Sequence, residues 1–531
     1  MTFWRFWRRI AVAWVVAGCL SGRGWIGGKA DDAPITFADG PAVSEIRIEL
    51  DQVAVSRLRQ DPRHEVPARL RADGATFAKV GVHLKGSVGS FRPLEDKPSM
   101  TVDLDHFVPG QRWRGTTKFH LNNSIEDPSF LSEWLGSEVF RAAGIPVPQV
   151  AHAVVWLNGR RLGLYVLKEG FTKEFLERTS LNHDAIILEP VTGQDLGGRF
   201  EVRVGTPTER ADSPAKLLEP LAAAASETNL VKRWQRLEAT LDIDQFLNFL
   251  TLEVLLAHRD GYGLARNNFR IRLDRQSGQV RFLPHGMDQL FHPPKLAWQP
   301  SWAGLVARAV METPEGRRRY GQAFTNLLVR TLSVTALTNQ VVQEAARFRS
   351  TVSRPEAAEL DQAVRELCGR IVARRDSLEW QLRQAESAAV VFSGRSAALT
   401  DWACQDSPAG GFLTKTNSAD GLTALYVMAG PSTSTAWHKL VRVPPGRYRF
   451  EGRVGTSKVE PLPFGRNQGA ALRVAGGLRW SQGLLGDTAW APQGVEFEVE
   501  ADEFVELLCE LRASAGEAWF DLGSLRLLRV D

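Results

Sequence analysis

His258-Arg259-Asp260-Gly261-Tyr262-Gly263-Leu264-Ala265-Arg266-Asn267-Asn268 and the later Phe282-Leu283-Pro284-His285-Gly286-Met287-Asp288-Gln289-Leu290-Phe291 carry most of the information in this chain. An apolar helical pattern runs from residue 244 to about 258, and Gly261 is positioned to be its left-handed stop. Residues 268–273 and 279–283 then read as a hairpin turning at Ser277-Gly278. Pairing those strands brings Asn267 and Asn268 near Asp288. A carboxylate at a helix-to-loop junction can accept a proton from an attacking hydroxyl. Amide oxygens beside a second carboxylate suit a hard cation such as magnesium better than zinc. Taken singly, each of these residues is more commonly a cap or turn former; their order and spacing carry the chemistry. His258 reads as structural, and the role of His285 stays open.

Working outward, the chain before this stretch is rich in strands. Residues 43–50 alternate apolar and charged side chains, and residues 78–84 and 99–104 flank the glycine-bearing loop Lys85-Gly86-Ser87-Val88-Gly89-Ser90. Residues 119–122 start another extended segment. Asp127 and Pro128 sit at the N-cap and first position of a helix through residue 141. Residues 150–157 and 161–167 form a hairpin around Asn158-Gly159. Helical patterns follow at 173–178, 215–225, 230–240 and, after the hairpin, from about 314 to 383. Residues 35–385 therefore read as one α+β domain. From about residue 389, short strands such as 440–443, 447–454 and 495–499 alternate with Gly/Pro/Ser turns, so residues 390–531 read as an all-β sandwich or jelly roll. The length of 531 residues also favours more than one core.

The net charge of +4 is small, and its arginines are spread along the chain. That distribution and the lack of a zinc-knuckle or RNA-reading motif exclude a nucleic-acid partner. Arg5, Arg8 and Arg9 precede an apolar run over residues 10–20, the layout of a signal peptide within residues 1–30. The run is shorter than the ~20 residues that span a bilayer as a helix. Val16-Ala17-Gly18-Cys19 has the form of a lipoprotein cleavage box, the other reading being a plain signal that contains a cysteine. Either way the expected location is exported, lipid-anchored in the cell envelope or secreted. An exported chain permits a Cys404–Cys509 disulfide, with free buried thiols as the alternative.

Several runs resemble, in order, the motifs of the spore coat protein H (CotH) family. They are Val82-His83-Leu84-Lys85-Gly86-Ser87, Lys97, Leu121-Asn122-Asn123-Ser124 with Asp127, and Leu157-Asn158-Gly159 with Gly163-Leu164-Tyr165 and Glu169. Asp260, Asn267-Asn268-Phe269 and Pro284 with Asp288-Gln289-Leu290-Phe291 complete a series over roughly residues 40–380. The resemblance implies an atypical protein-kinase-like bilobal domain, a β-rich small lobe and a helical lobe with ATP between them. It assigns Asp260 as catalytic base, and Asn267 or Asn268 with Asp288 as ligands of Mg2+ or Mn2+. Lys85, Gly86 and Ser87 would cover the phosphates, with Lys85, Lys97 or Lys118 supplying charge and Glu138 as an ion-pair partner. Glu169 would stand where a hinge meets adenine.

The implied activity is transfer of the ATP γ-phosphate to Ser/Thr hydroxyls of an unidentified exported protein. A silent surface-binding scaffold is the competing class. The chain reads His-Gly-Met-Asp where many members have Trp-Asp-Leu-Asp, so Gly286 removes a carboxylate. Pro445-Gly446-Arg447-Tyr448-Arg449-Phe450 and Trp519-Phe520-Asp521 resemble carbohydrate-binding jelly rolls. Trp480, Trp490 and Trp519 are candidates to stack on glycan rings, although such aromatics are more often core.

Overall fold

Alternation of apolar and polar residues along the first seven strands closes a barrel in the computed structural model. That model describes residues 41–531 except 88, 180–183, 192, 206–212, 387–389, 405–410, 419, 463–467, 476–480, 500–502 and 531. The leader, Cys19 and Trp480 thus lie outside the described residues. The strands are β1 (Ser44–Glu49), β2 (Val66–Ala72), β3 (Ala75–Lys85), β4 (Ser99–Asp103), β5 (Lys118–Asn122), β6 (Val150–Leu157) and β7 (Arg160–Glu169), in the order β1-β2-β3-β4-β5-β7-β6. β6 closes the ring by pairing parallel with β1. One face of each strand fills the interior with residues such as Ile48, Leu70, Val82, Val102, Phe119, Val155 and Leu167.

The opposite face carries polar residues along β4 and β5, at the end of β3 and, on β7, at Lys168, beyond the buried Leu164 and Val166. His83 pairs with Thr101, Thr101 with His120, and His120 with Lys168, so a single row crosses β3, β4, β5 and β7. Because strand side chains alternate with period two, a one-residue slip would send this row into the apolar core. Register is therefore strongly specified.

Helix α1 (Gln52–Gln60) is capped by the Asp51 carboxylate at 2.7 Å from the Ala54 amide nitrogen, and α2 (Ser132–Ala142) links β5 to β6. α2 begins four residues later than the sequence suggests. Asp127 does cap, accepting from the backbone nitrogens of Ser129 (3.2 Å) and Ser132 (2.8 Å). Phe130, however, has φ +60°, and a left-handed residue there cannot be part of the helix.

After α3 (Lys173–Thr179), strands β8 (Ala185–Pro190) and β9 (Phe200–Val204) join the hairpin β10 (Phe269–Asp274) and β11 (Val280–Pro284) in the order β11-β10-β8-β9. The helices are α4 (Glu219–Ser226), α5 (Leu230–Thr240), α6 (Ile243–Leu255), α7 (Tyr262–Ala265), α8 (Leu305–Met311), α9 (Pro314–Thr331), α10 (Val334–Phe348) and α11 (Arg354–Glu386). α1, β2, β8 and β9 are not among the elements expected above, although β2 alternates buried and exposed residues along its whole length. No described helix is long and apolar enough to cross a membrane.

α6 is the central helix, with Phe246, Phe249, Leu250 and Val254 all buried. Its stop differs from the expected one: Ala257, at φ +46°, is the left-handed residue, and Gly261 has φ −78°. The helix can end there because its last carbonyls are met: the buried Arg374 of α11 donates to that of Leu255 (3.3 Å) and to that of Val254 (2.6 Å), which also accepts from the Ala257 backbone nitrogen (3.0 Å).

From Ser396 to Arg529 two antiparallel sheets share one core, in which Tyr448, Phe450 and Phe520 of one sheet pack with Leu472, Leu507 and Leu511 of the other. Trp490 donates its indole N–H to Asp420 (3.2 Å), and the Trp519 ring lies 5.4 Å from that of Tyr426. The Cys404–Cys509 disulfide is absent. Both residues pair with Trp437, from opposite sides, so an intervening strand separates them by about twice the ~4.8 Å strand spacing, beyond disulfide reach. Cys404 is exposed and Cys509 buried, both as free thiols. Cys404 should react with maleimide in the folded protein, Cys509 should not, and dithiothreitol should leave the melting temperature unchanged. A melting temperature lowered by reductant would contradict this pairing.

Candidate active site

The polar row of the barrel forms the roof of a cleft of about 460 Å3. Lys168, which closes β7, donates from Nζ to Glu133 Oε1 of α2 at 2.5 Å, with both side chains almost wholly buried. Glu133 uses its other oxygen to accept from the backbone nitrogen of Met287 at 2.9 Å. His285 Nδ1 lies 3.1 Å from Lys168 Nζ, and burial drives the His285 pKa well below its ordinary value. The neutral ring therefore accepts from the ammonium at Nδ1. Lys85 donates to Asn122 Oδ1 at 2.6 Å, and its pKa falls to about 8 through burial and then the charge of Lys168. Lys118 also lines the cleft, its charge answered by Asp103 at 2.6 Å.

The floor is the loop between α6 and β10 together with the segment after β11. Asp260 Oδ2 accepts from Nδ2 of Asn267 (2.9 Å) and Nδ2 of Asn268 (2.7 Å). A carboxylate only accepts, so both amides must turn their NH2 groups towards it and their Oδ1 atoms away. Asn268 Oδ1 then lies only 2.4 Å from where a Cβ on Gly286 would sit, and Gly286 itself has φ +57°. Glycine is thus required at 286 on both counts. An amide oxygen occupies the space that a side chain on residue 286 would need, which is the physical reason this chain reads His-Gly-Met-Asp.

Two residues on, Asp288 has its pKa pushed up to about 7, first by burial and then by the charges of Glu133 and Glu126. Among the described residues it has no ion-pair partner. An acid so placed, beside outward-facing amide oxygens, fits a hard divalent cation held by Asp288 with Asn267 or Asn268.

The cleft also gathers Gly86, with φ +110°, and Ser87 from the β3–β4 loop. Three expected residues do not join it. Lys97 sits over the rings of Phe130 (4.8 Å) and Tyr165 (5.1 Å). Glu169 accepts at Oε2 from the Gln149 backbone nitrogen (2.9 Å) and from Arg178 (2.5 Å), a structural tie at the end of β7. Glu138 is solvent-facing and paired with Arg141. The ion-pair partner in α2 is Glu133 instead, five residues earlier and so about 140° around the helix.

Lys168, Glu133 and Arg270 are charged cleft residues that the sequence does not single out, as are Glu126, Glu189 and Arg203. A signal for Lys168 was present: it is a lysine that ends the apolar run of residues 162–167.

The model of the family described as CotH kinase protein matches residues 82–376. Inner spore coat protein H of Bacillus subtilis (strain 168) is 21% identical over 281 residues, covering 49% of this chain and 75% of that protein. Among solved structures, the Helicobacter pylori proinflammatory kinase CtkA is similar with a TM-score of 0.27 and 10% identity, over 56% of this chain and 96% of that one. The xylan-binding domain CBM22-1 from Paenibacillus barcinonensis Xyn10C gives a TM-score of 0.18 and 13% identity, over 25% and 88%.

The Asp288 environment has a consequence for stability. Its folded pKa of about 7 lies above the ordinary aspartate value of 3.8. Between these values the folded chain holds a proton that the unfolded chain has released, so stability falls as pH rises towards 7. Asp288→Asn lacks this loss. The variant should match wild type near pH 4 and exceed it by on the order of a few kcal/mol at pH 8 in urea unfolding. Parallel pH profiles for the two proteins would contradict the buried, uncompensated acid.

Proposed function

The chain belongs to the CotH kinase protein family, and from that premise we propose that it transfers the γ-phosphate of ATP to Ser or Thr hydroxyls of exported proteins. The observation that carries this reading is the Lys168–Glu133 ion pair of the roof, set in one cleft with Asp260, Asn267, Asn268 and Asp288 of the floor. On this reading the barrel is the small lobe and the helices from α3 to α11 belong to the larger one, an α+β kinase-like unit over residues 35–385. Residues 390–531 form a separate β module. Export rests on the leader pattern of residues 1–30.

Bound Mg2+ or Mn2+ would neutralise phosphate charge and orient the leaving group. Asp288 and the outward amide oxygens would hold it. The protein's own groups supply the rest. Lys168 and Lys85 offer ammonium donors to phosphate oxygens, and Glu133 fixes the first of them. Asn267 and Asn268 occupy Asp260 Oδ2, which leaves Oδ1 to receive the acceptor's hydroxyl proton. The acceptor oxygen then bonds to the γ-phosphorus as the bond to the β–γ bridging oxygen breaks, and ADP leaves.

The two acids have separable tasks. Asp288→Ala should lose magnesium-dependent ATP binding and transfer together. Asp260→Ala should slow transfer by roughly a hundredfold or more while ATP affinity stays near wild type. Labelled-phosphate transfer to a Ser/Thr-rich acceptor, alongside nucleotide titration, measures both. Wild-type transfer by either folded variant would remove the assigned role.

A further inference from the structure

One buried acid close to the floor has no part in the chemistry above. Glu253, on α6, is fully buried, and both of its oxygens are engaged by the same loop: Oε1 accepts from the Tyr262 backbone nitrogen and Oε2 from that of Gly263, each at 2.8 Å. Among the described residues it has no cationic partner. Burial pushes its pKa up to about 8, with only these two N–H donors acting in the other direction. A buried carboxyl is costly to keep without compensation.

The loop is shaped around this carboxyl. A Cβ on Gly261 would lie 2.3 Å from Glu253 Oε1, and one on Gly263 would lie 3.0 Å from Oε2 and as close to the Leu250 and Trp302 side chains. Neither glycine has a positive φ, so both are needed for space rather than for backbone freedom. The anchor continues through Tyr262. Its hydroxyl accepts from the Val306 backbone nitrogen (2.9 Å) and donates to Asp195 Oδ1 (3.2 Å), while Asp195 Oδ2 accepts from the Leu305 backbone nitrogen (2.6 Å). Gly261 directly follows Asp260. Asp260 is thus held from one side by the Asn267 and Asn268 amides and from the other by a loop whose position Glu253 sets.

We propose that Glu253 is a positioning residue for phosphoryl transfer: its two carboxyl oxygens clamp Tyr262 and Gly263 and so fix the Asp260 carboxylate relative to the cleft. The kinetic part of this inference rests on the transfer reading; the clamp itself does not. A carboxyl group suits the position because it presents two oxygens, in a fixed fork, to two adjacent amides. Displacing a reacting group by ~1 Å can cost on the order of a hundredfold in rate.

Glu253→Gln keeps the shape but sets an NH2 group against one loop N–H. Amide hydrogen exchange, ATP affinity and kcat would be measured on the full chain with magnesium, ATP and a Ser/Thr-rich acceptor. The expected result is faster exchange confined to residues 261–263 and a kcat lower by about 10- to 100-fold, with ATP affinity unchanged. Gly261→Ala leaves Glu253 in place and sets a methyl group 2.3 Å from its Oε1, so it should give the same split and serves if Glu253→Gln does not fold. Wild-type exchange and kcat in the folded variants would overturn the proposal. So would loss of ATP affinity along with kcat as exchange rises throughout the helices, since that marks a general structural pin. If wild type transfers no phosphate, the kinase reading fails, and the exchange rates alone decide whether Glu253 clamps the loop.

Discussion

Glu133 is the single side chain on which the cleft depends. One of its oxygens takes the Lys168 ammonium at the end of the barrel, and the other takes the Met287 N–H in the segment that ends at Asp288. Roof, helix α2 and floor are therefore tied through one carboxylate with negligible access to water. Breaking such a pair by removing one partner typically costs about 3–5 kcal/mol, because the remaining charge is left buried and unpaired. This arrangement fixes where Lys168 points with respect to Asp288, and under the proposed function phosphate recognition would need that relation held to a fraction of an ångström.

The cleft keeps charges in states that water would not favour. Lys85 is drawn down to about 8 and Asp288 is pushed up to about 7, each by burial first and by a like-charged neighbour second. Lysines on the roof and an unpaired acid on the floor match a polyanion with a divalent cation, and binding would relieve both. Such local cost is characteristic of sites selected for function rather than stability. The same logic covers the glycines: Gly286 yields space to the Asn268 amide, and Gly261 and Gly263 yield it to Glu253.

Much of this was legible in the sequence. The strand pairs around Asn158-Gly159 and Ser277-Gly278 were readable because hairpin turn chemistry is local, and Asp260, Asn267, Asn268 and Asp288 because a hairpin brings its two ends together. The Lys168–Glu133 pair was not legible. It depends on which strand of a closed barrel lies beside which, and on the start of α2, which the left-handed Phe130 delays beyond the sequence's Asp-Pro signal. β8 was not legible because it is a short apolar run whose partner β10 lies far along the chain, and β9 is a five-residue edge strand that pairs with β8 alone. The stop of α6 was misplaced because Arg374, more than a hundred residues later, caps it.

The central claim is that roof lysines and floor carboxylates share one nucleotide. Its most direct test is labelling of the folded chain with an acyl-phosphate analogue of ATP, which acylates lysines next to bound phosphates, followed by peptide mapping. The account predicts magnesium-dependent modification of Lys168 or Lys85 that excess ATP blocks and Asp288→Ala abolishes. Labelling spread over surface lysines, indifferent to ATP and magnesium, would contradict it.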